Sequence, residues 1–243
     1  MKKFLVAVLA LAMVLAVSMS AMAAGSDDFN RANTTAGIGG NWTRGDSSTS
    51  WINILDNAVV VKGGASGTGK NIGNTIDGIN MSGLIHVDFQ AKGDHELGDG
   101  FTTWAVTVDS VDMENFADGN IAKYYGATDY CRGRIASSGS VTGSHYLTSN
   151  GAWDNLKMAI DTNAGTVEFF QNGVSWGVLN NGQAGKAIGR ISIVQINNAA
   201  AGAELRSMQI DNFSVTAVPE PGSVLALCSG LIGMVGFARR RRA

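Results

Sequence analysis

The sequence predicts an all-β protein, an antiparallel sandwich or jelly roll, on three observations. Apolar and polar residues alternate at a period of two. No stretch of the body carries the period of a long helix. The 243-residue chain holds 32 glycines, which punctuate short runs, while its only two prolines, Pro219 and Pro221, lie near the C-terminus. Short alternating runs joined by glycine turns are the pattern of half-buried strands. No fixed internal repeat is visible, which argues against a β-helix or propeller.

Lys2 and Lys3 precede an apolar stretch from Phe4 to Val17, and Ala21-Met22-Ala23 supplies small residues for a signal peptidase. Residues 1–23 therefore read as a signal peptide, helical in its apolar part, cut after Ala23. Residues 24–217 are the expected sandwich domain, and residues 218–243 a C-terminal segment with a transmembrane helix.

Within the body, Val59–Val61 marks an early strand, and the low-complexity Gly63–Gly69 patch a loop. Ile85, Val87, Phe89 and Ala91 alternate with His86, Asp88 and Gln90, and Leu156, Met158 and Ile160 with Lys157 and Asp161. Asp161–Gly165 reads as a turn, Thr166–Gln171 as a strand, Asn172-Gly173 as a tight hairpin and Val174–Val178 as the returning strand. Asp99-Gly100-Phe101 opens a strand through Thr102–Val108; Ile191 and Ile193 lie in another, and Ile210–Val215 in the last.

Charge narrows the function. Setting aside Lys2, Lys3 and the four arginines 239–242 takes the basic total from 18 to 12, and setting aside Glu220 takes the acidic total from 20 to 19. Residues 24–217 thus carry a net charge of about −7. Such a surface repels phosphate backbones, so nucleic acid is not an expected partner. Cys131 is the only cysteine of this segment, since Cys228 lies in the apolar tail, and an internal disulfide is excluded. A partly buried thiol is the plain reading of Cys131; intermolecular pairing or a reactive role is the other.

The tail combines three parts. Pro219, Glu220 and Pro221 are followed by Val224–Ala238, a run without charge, and then by Arg239, Arg240, Arg241 and Arg242. As a helix the run spans about 23 Å against a hydrocarbon core of about 30 Å, a marginal membrane anchor whose arginines stay cytoplasmic. This arrangement resembles the PEP-CTERM sorting signal, also known as an ice-binding protein C-terminal domain. The resemblance implies an exported protein whose tail is recognised by an exosortase, which releases or re-anchors it at the cell surface or in the extracellular matrix. No regular threonine array of an ice-binding surface is visible in the body.

A second resemblance covers the body. Asp28-Phe29-Asn30-Arg31 with Trp42, Trp153 with Leu156, the Asn172-Gly173 hairpin and Asp211-Asn212-Phe213-Ser214-Val215 are similar to elements of concanavalin-A-like, laminin-G-type jelly rolls. The resemblance implies that first and last strands lie near each other, so the aspartate and phenylalanine pairs of the two ends meet. Glucanases of this fold carry Glu-x-Asp-x-Glu or Glu-x-Asp-x-x-Glu, and neither occurs here. A retaining glycosidase needs two carboxyls about 5 Å apart. The four glutamates of the body, Glu96, Glu114, Glu168 and Glu204, are scattered, and the chain is expected to be no enzyme.

His86, His95 and His145 are too dispersed for a local zinc motif, and no Gly-x-Ser-x-Gly surrounds Ser144-His145. Asp109, Asp112, Glu114, Asp118 and Asn120 form an oxygen-rich run of a kind that holds calcium in exported proteins, though not with EF-hand spacing; a solvated charge run is the plainer reading. No other cofactor is expected. Asp99 resembles the Asp-Gly aspartate of lectin jelly rolls, which accepts sugar hydroxyls, against the plainer reading of a turn. Among Trp42, Trp51, Trp104, Trp153 and Trp176, most are expected in the core, with Trp51 and Trp176 as stacking candidates for sugar. The expectation is an exported carbohydrate-binding or adhesion protein whose partner is extracellular polysaccharide. A purely structural matrix protein and a glycoside hydrolase are the alternatives.

Overall fold

The computed structural model describes residues 23–33, 38–44, 52–62, 72–93, 103–112, 119–126, 130–135, 139–148, 151–196 and 207–218. These residues form strands and turns and contain no helix. The expected signal and membrane helices lie outside them.

The strands are β1 (Ala23–Asp27), β2 (Thr43–Arg44), β3 (Ile52–Leu55), β4 (Ala58–Lys62), β5 (Ile72–Met81), β6 (Leu84–Gly93), β7 (Thr103–Ser110), β8 (Ala122–Gly126), β9 (Tyr130–Arg134) and β10 (His145–Tyr146). They continue as β11 (Asp154–Asp161), β12 (Thr166–Gln171), β13 (Val174–Asn180), β14 (Ile188–Ile196) and β15 (Ser207–Val218). An eight-stranded sheet runs β13-β12-β11-β6-β15-β4-β3, with β1 also on β15. A seven-stranded sheet runs β10-β9-β8-β7-β14-β5-β2. Neighbours pair antiparallel in both.

Period-two patterning places the core as expected. Ile85, Val87, Phe89 and Ala91 of β6 and Leu156, Met158 and Ile160 of β11 are buried, and their polar neighbours point outward. The hairpin follows its residues: β12 occupies Thr166–Gln171, and Asn172 and Gly173 turn with φ of 50° and 81°. The returning strand runs two residues past Val178, to Asn180.

Between the sheets lies an aromatic chain. Phe89 meets Trp104 and Tyr124 edge-on at 6.4 and 5.5 Å, and Tyr124 meets Phe169 at 5.1 Å. Phe89 stacks near Phe213, which meets Trp42 at 5.2 Å, and Trp42 reaches Phe29 at 6.1 Å. Each such pair stabilises by about 0.5–1.5 kcal/mol beyond its buried area. The Tyr124 hydroxyl crosses between β11 and β12, 2.7 and 2.9 Å from the carbonyls of Phe170 and Lys157, and accepts the Phe170 N–H at 3.0 Å.

The two ends of the body meet, as the resemblance implied. β1 pairs with β15, Asp27 opposite Phe213. Asp27 accepts the Trp42 indole N–H at 3.0 Å and the Phe29 N–H at 2.9 Å, and pairs with Arg31. Cys131 is fully buried rather than partly so, and burial, with Asp154 nearby, pushes its thiol pKa well up, which makes it inert.

Candidate ligand-binding face

Each sheet has an outward face, and the two differ in how their polar side chains are used. On the eight-stranded sheet, hydrogen bonds link neighbours into one network. Asp154 accepts the Thr148 N–H and hydroxyl at 2.5 and 2.6 Å and the Asn172 amide at 2.6 Å. Asn172 Oδ1 accepts the Asn155 N–H at 2.9 Å, Asn155 Oδ1 accepts Gln90 Nε2 at 3.0 Å, and Gln90 Oε1 accepts Asn212 Nδ2 at 2.8 Å. Burial alone would raise the Asp154 pKa, but the bonds from Thr148, Gln171 and Asn172 hold it below the ordinary carboxylate value. A shallow depression of about 250 Å³ lies here, lined by Asp88, Gln90, Asn155, Lys157, Phe170 and Asn212 among others. Burial, then Lys157, lowers the His86 pKa, and burial raises that of Asp88 beside it.

On the seven-stranded sheet, register lines up three rows on the side away from the aromatic core, in which Asp109, Thr75, Ser192, Thr107, Lys123, Val194 and Ala105 are nonetheless buried. The first places Asp77, Arg190 and Asp109 side by side across β5, β14 and β7. The second runs Thr43, Thr75, Ser192, Thr107, Lys123, Arg134 and Val141, four hydroxyls followed by two cations and an exposed valine. The third contains Val194, Ala105, Tyr125 and Arg132. Lys123 Nζ, Arg132 Cζ and Arg134 Cζ lie 5.5, 5.3 and 5.9 Å from the Tyr125 ring centre. Tyr146 on the edge strand β10, opposite Tyr130, faces the same way as Arg132 and is 77% exposed.

The expected site residues separate. Asp99 and Trp51 lie outside the described residues, as do Ala21, Pro219, Glu220, Pro221 and Arg239–Arg242. Ala23 begins β1, where it pairs with Thr216. Trp176 is half-buried, its ring stacked flat on His145 at 4.0 Å and edge-on to Tyr124 at 5.5 Å, so it joins the β13 and β10 edges of the two sheets. Of the acidic run, Asp109 is buried rather than solvated, because its Oδ1 accepts the Asn120 N–H at 2.9 Å while Asn120 Oδ1 accepts that of Ser110. Asp112 pairs with Lys186 across the turn before β14. Among the described residues no group of three or more acidic, histidine or cysteine side chains is placed to hold a metal.

Sequence reasoning missed the basic cluster and Tyr146. The signal was the paired pattern Lys123-x-Tyr125 and Arg132-x-Arg134, two period-two runs whose like-facing members are charged or aromatic.

The class that emerges is an antiparallel jelly roll of the concanavalin-A-like type. The chain is similar to an endo-1,3-beta-glucanase from Streptomyces sioyaensis with a TM-score of 0.54 and 12% identity, over 82% of this chain and 96% of that one. It is similar to the carbohydrate recognition domain of Emp47p with a TM-score of 0.50 and 12% identity, over 79% and 94%. A sialidase gives a TM-score of 0.55 and 12% identity over 81% of this chain, which spans only 19% of the sialidase's length. At such identities the likeness is one of fold. No curated protein is significantly similar to the chain. The PEP-CTERM protein-sorting motif matches residues 217–242, and it implies an exported protein, processed by an exosortase and destined for the surface or the extracellular space.

Proposed function

We infer that this exported protein is a non-catalytic carbohydrate-binding or adhesion module that uses the outward face of the seven-stranded sheet. The observation that carries the reading is the ring of Tyr146 on β10, 77% exposed and facing the same way as the half-buried Tyr125, Arg132 and Arg134. Guanidinium donors beside the aromatic rings of Tyr125 and Tyr146 offer both the polar partners and the flat apolar surface that a sugar ring uses.

The first row speaks for binding over hydrolysis. Asp77 and Asp109 stand two strand spacings apart, about 10 Å, too far for a nucleophile and acid pair about 5 Å apart. An inverting enzyme would need a water between its two carboxyls, and Arg190, ion-paired to Asp77, occupies the intervening strand. Asp109 is fully buried and engaged by Asn120.

The test takes the processed protein from the extracellular fraction of its host and measures retention on a panel of immobilised polysaccharides, with reducing-sugar release followed in the same samples. Retention without release is the expected result. Steady release of reducing ends would overturn the non-catalytic part. Retention on no polysaccharide would overturn the binding part and leave a structural matrix protein.

A further inference from the structure

We propose that the eight-stranded sheet meters the removal of the sorting tail: the processing enzyme takes its substrate only while the end of β15, residues 216–218, is lifted off β6, and β1 sets how readily that happens. The proposal rests on the sorting motif and is independent of the binding reading above.

Overlap is the first ground. The motif begins at residue 217 and β15 runs to Val218, so its first two residues belong to the sheet. Thr216, Ala217 and Val218 stand opposite His86, Ile85 and Leu84 of β6, and β1 flanks the other side of β15, with Gly25 opposite Val215. An enzyme that cuts a chain takes the residues before the bond as an extended segment, whose backbone N–H and C=O groups pair with its own cleft. In the folded body those groups already serve the ladder with β6. Only residues 219–223 separate β15 from the apolar run 224–238. A cut in that link passes the carbonyl carbon of the broken peptide bond from its amine leaving group to water, for release, or to another amine, for re-anchoring. Either outcome draws on the strand end.

Uneven anchoring is the second ground. Phe213 and Val215 are fully buried and fix β15 in the core, whereas Ala217 is only partly buried against it. The last three residues can therefore lift while the core stays closed, a local opening of the kind that governs proteolysis through the population of the open form. An opening that frees the strand end frays back toward Val215, where β1 holds it. Among the described residues β1 is a five-residue strand paired with β15 alone, and Gly25 weakens it from within. A methyl group fits there: a Cβ at Gly25 would lie 3.6 Å from Cδ1 of Ile76, an ordinary contact.

The experiment is a pulse-chase of the full chain in its host, with intact mass separating loss of the tail from loss of residues 1–23. Gly25→Ala tightens β1 and should lengthen the lifetime of the tail-bearing form about two- to fivefold. Ser26→Pro loosens β1 at an exposed position and should shorten that lifetime about threefold or more. Both substitutions lie outside residues 217–242, so the motif that the enzyme reads is untouched. Residues 213–243 fused to an unrelated exported passenger, without β6 or β1, should lose the tail faster than the native chain. Circular dichroism melting of the processed variants verifies that the body still folds; if Ser26→Pro does not fold, Gly25→Ala and the fusion carry the test. Equal lifetimes in the native chain and Gly25→Ala, a longer lifetime in a folded Ser26→Pro, or slower loss from the fusion overturns the proposal. Retention of the tail by native chain and fusion alike removes both the proposal and the processing it rests on, and leaves polysaccharide binding untouched.

Discussion

The outward faces of the two sheets are built from the same pleated pattern and treat charge in opposite ways. On the eight-stranded sheet, Asn172, Asn155, Gln90 and Asn212 satisfy one another in a chain of hydrogen bonds that ends on Asp154, buried on the inner side of β11. On the seven-stranded sheet, Lys123, Arg132 and Arg134 crowd around Tyr125 with like charges opposed. A closed network stabilises the fold and has little left to offer a ligand. The half-buried Arg132 and Arg134 have no carboxylate partner among the described residues, so part of their donor capacity is left for something outside the molecule.

The sharpest way to break this contrast is at Asp154. Asp154→Ala removes the acceptor for three donors and should cost about 3 kcal/mol of unfolding free energy, read by urea denaturation. The same residue sets a pH dependence. Because its folded pKa is depressed, its contribution is complete above the unfolded value of about 3.9 and is lost as the pH falls through the lower folded value. Melting temperature against pH should therefore drop more steeply below about pH 4 in the native protein than in Asp154→Asn.

Next in size is Gly133→Ala. A Cβ at Gly133 would lie 2.4 Å from Cδ2 of the Phe169 ring, so the aromatic core must shift at a cost of about 1–3 kcal/mol. Gly133 sits between Arg132 and Arg134 on β9, and the substitution should also disturb glycan retention through the strand's position. Unchanged stability would mean that β9 is held more loosely than its packing shows.

On the closed face, Asn155→Ala should lower stability by about 1 kcal/mol, since Gln90 Nε2 loses its acceptor at a solvent-accessible site. The smallest effect carries the opposite sign. Arg134→Gln should leave stability unchanged or raise it by about 0.5 kcal/mol at low ionic strength, with the gain disappearing in salt. A clear loss of stability in Arg134→Gln would erase the distinction between the faces.

Legibility in the sequence followed the range of the interaction that decides each feature. The β6 and β11 faces, the β12 strand and the Asn172-Gly173 turn were readable because neighbouring residues settle them. The meeting of first strand with last came through resemblance, since nothing local specifies it, though the residue opposite Phe213 is Asp27 and not the Asp28 of the resemblance. Asp109 looked solvated because the Asn120 group that buries it stands 11 residues away. The basic cluster was unreadable for the same reason: Lys123 and Arg134 become neighbours only when β8 and β9 adopt their register. Trp176 looked like a free indole until the β10 edge supplied His145 as its stacking partner.

The place of β15 has a consequence for timing. It is the last of the described strands, yet it lies inside the eight-stranded sheet against β6, β4 and β1, and the sorting motif begins at its residue 217. A nascent body lacking its central strand cannot close, and slow, non-local pairing keeps it open while the remainder is made. The sheet is therefore completed only once the chain has been made as far as the start of the sorting motif.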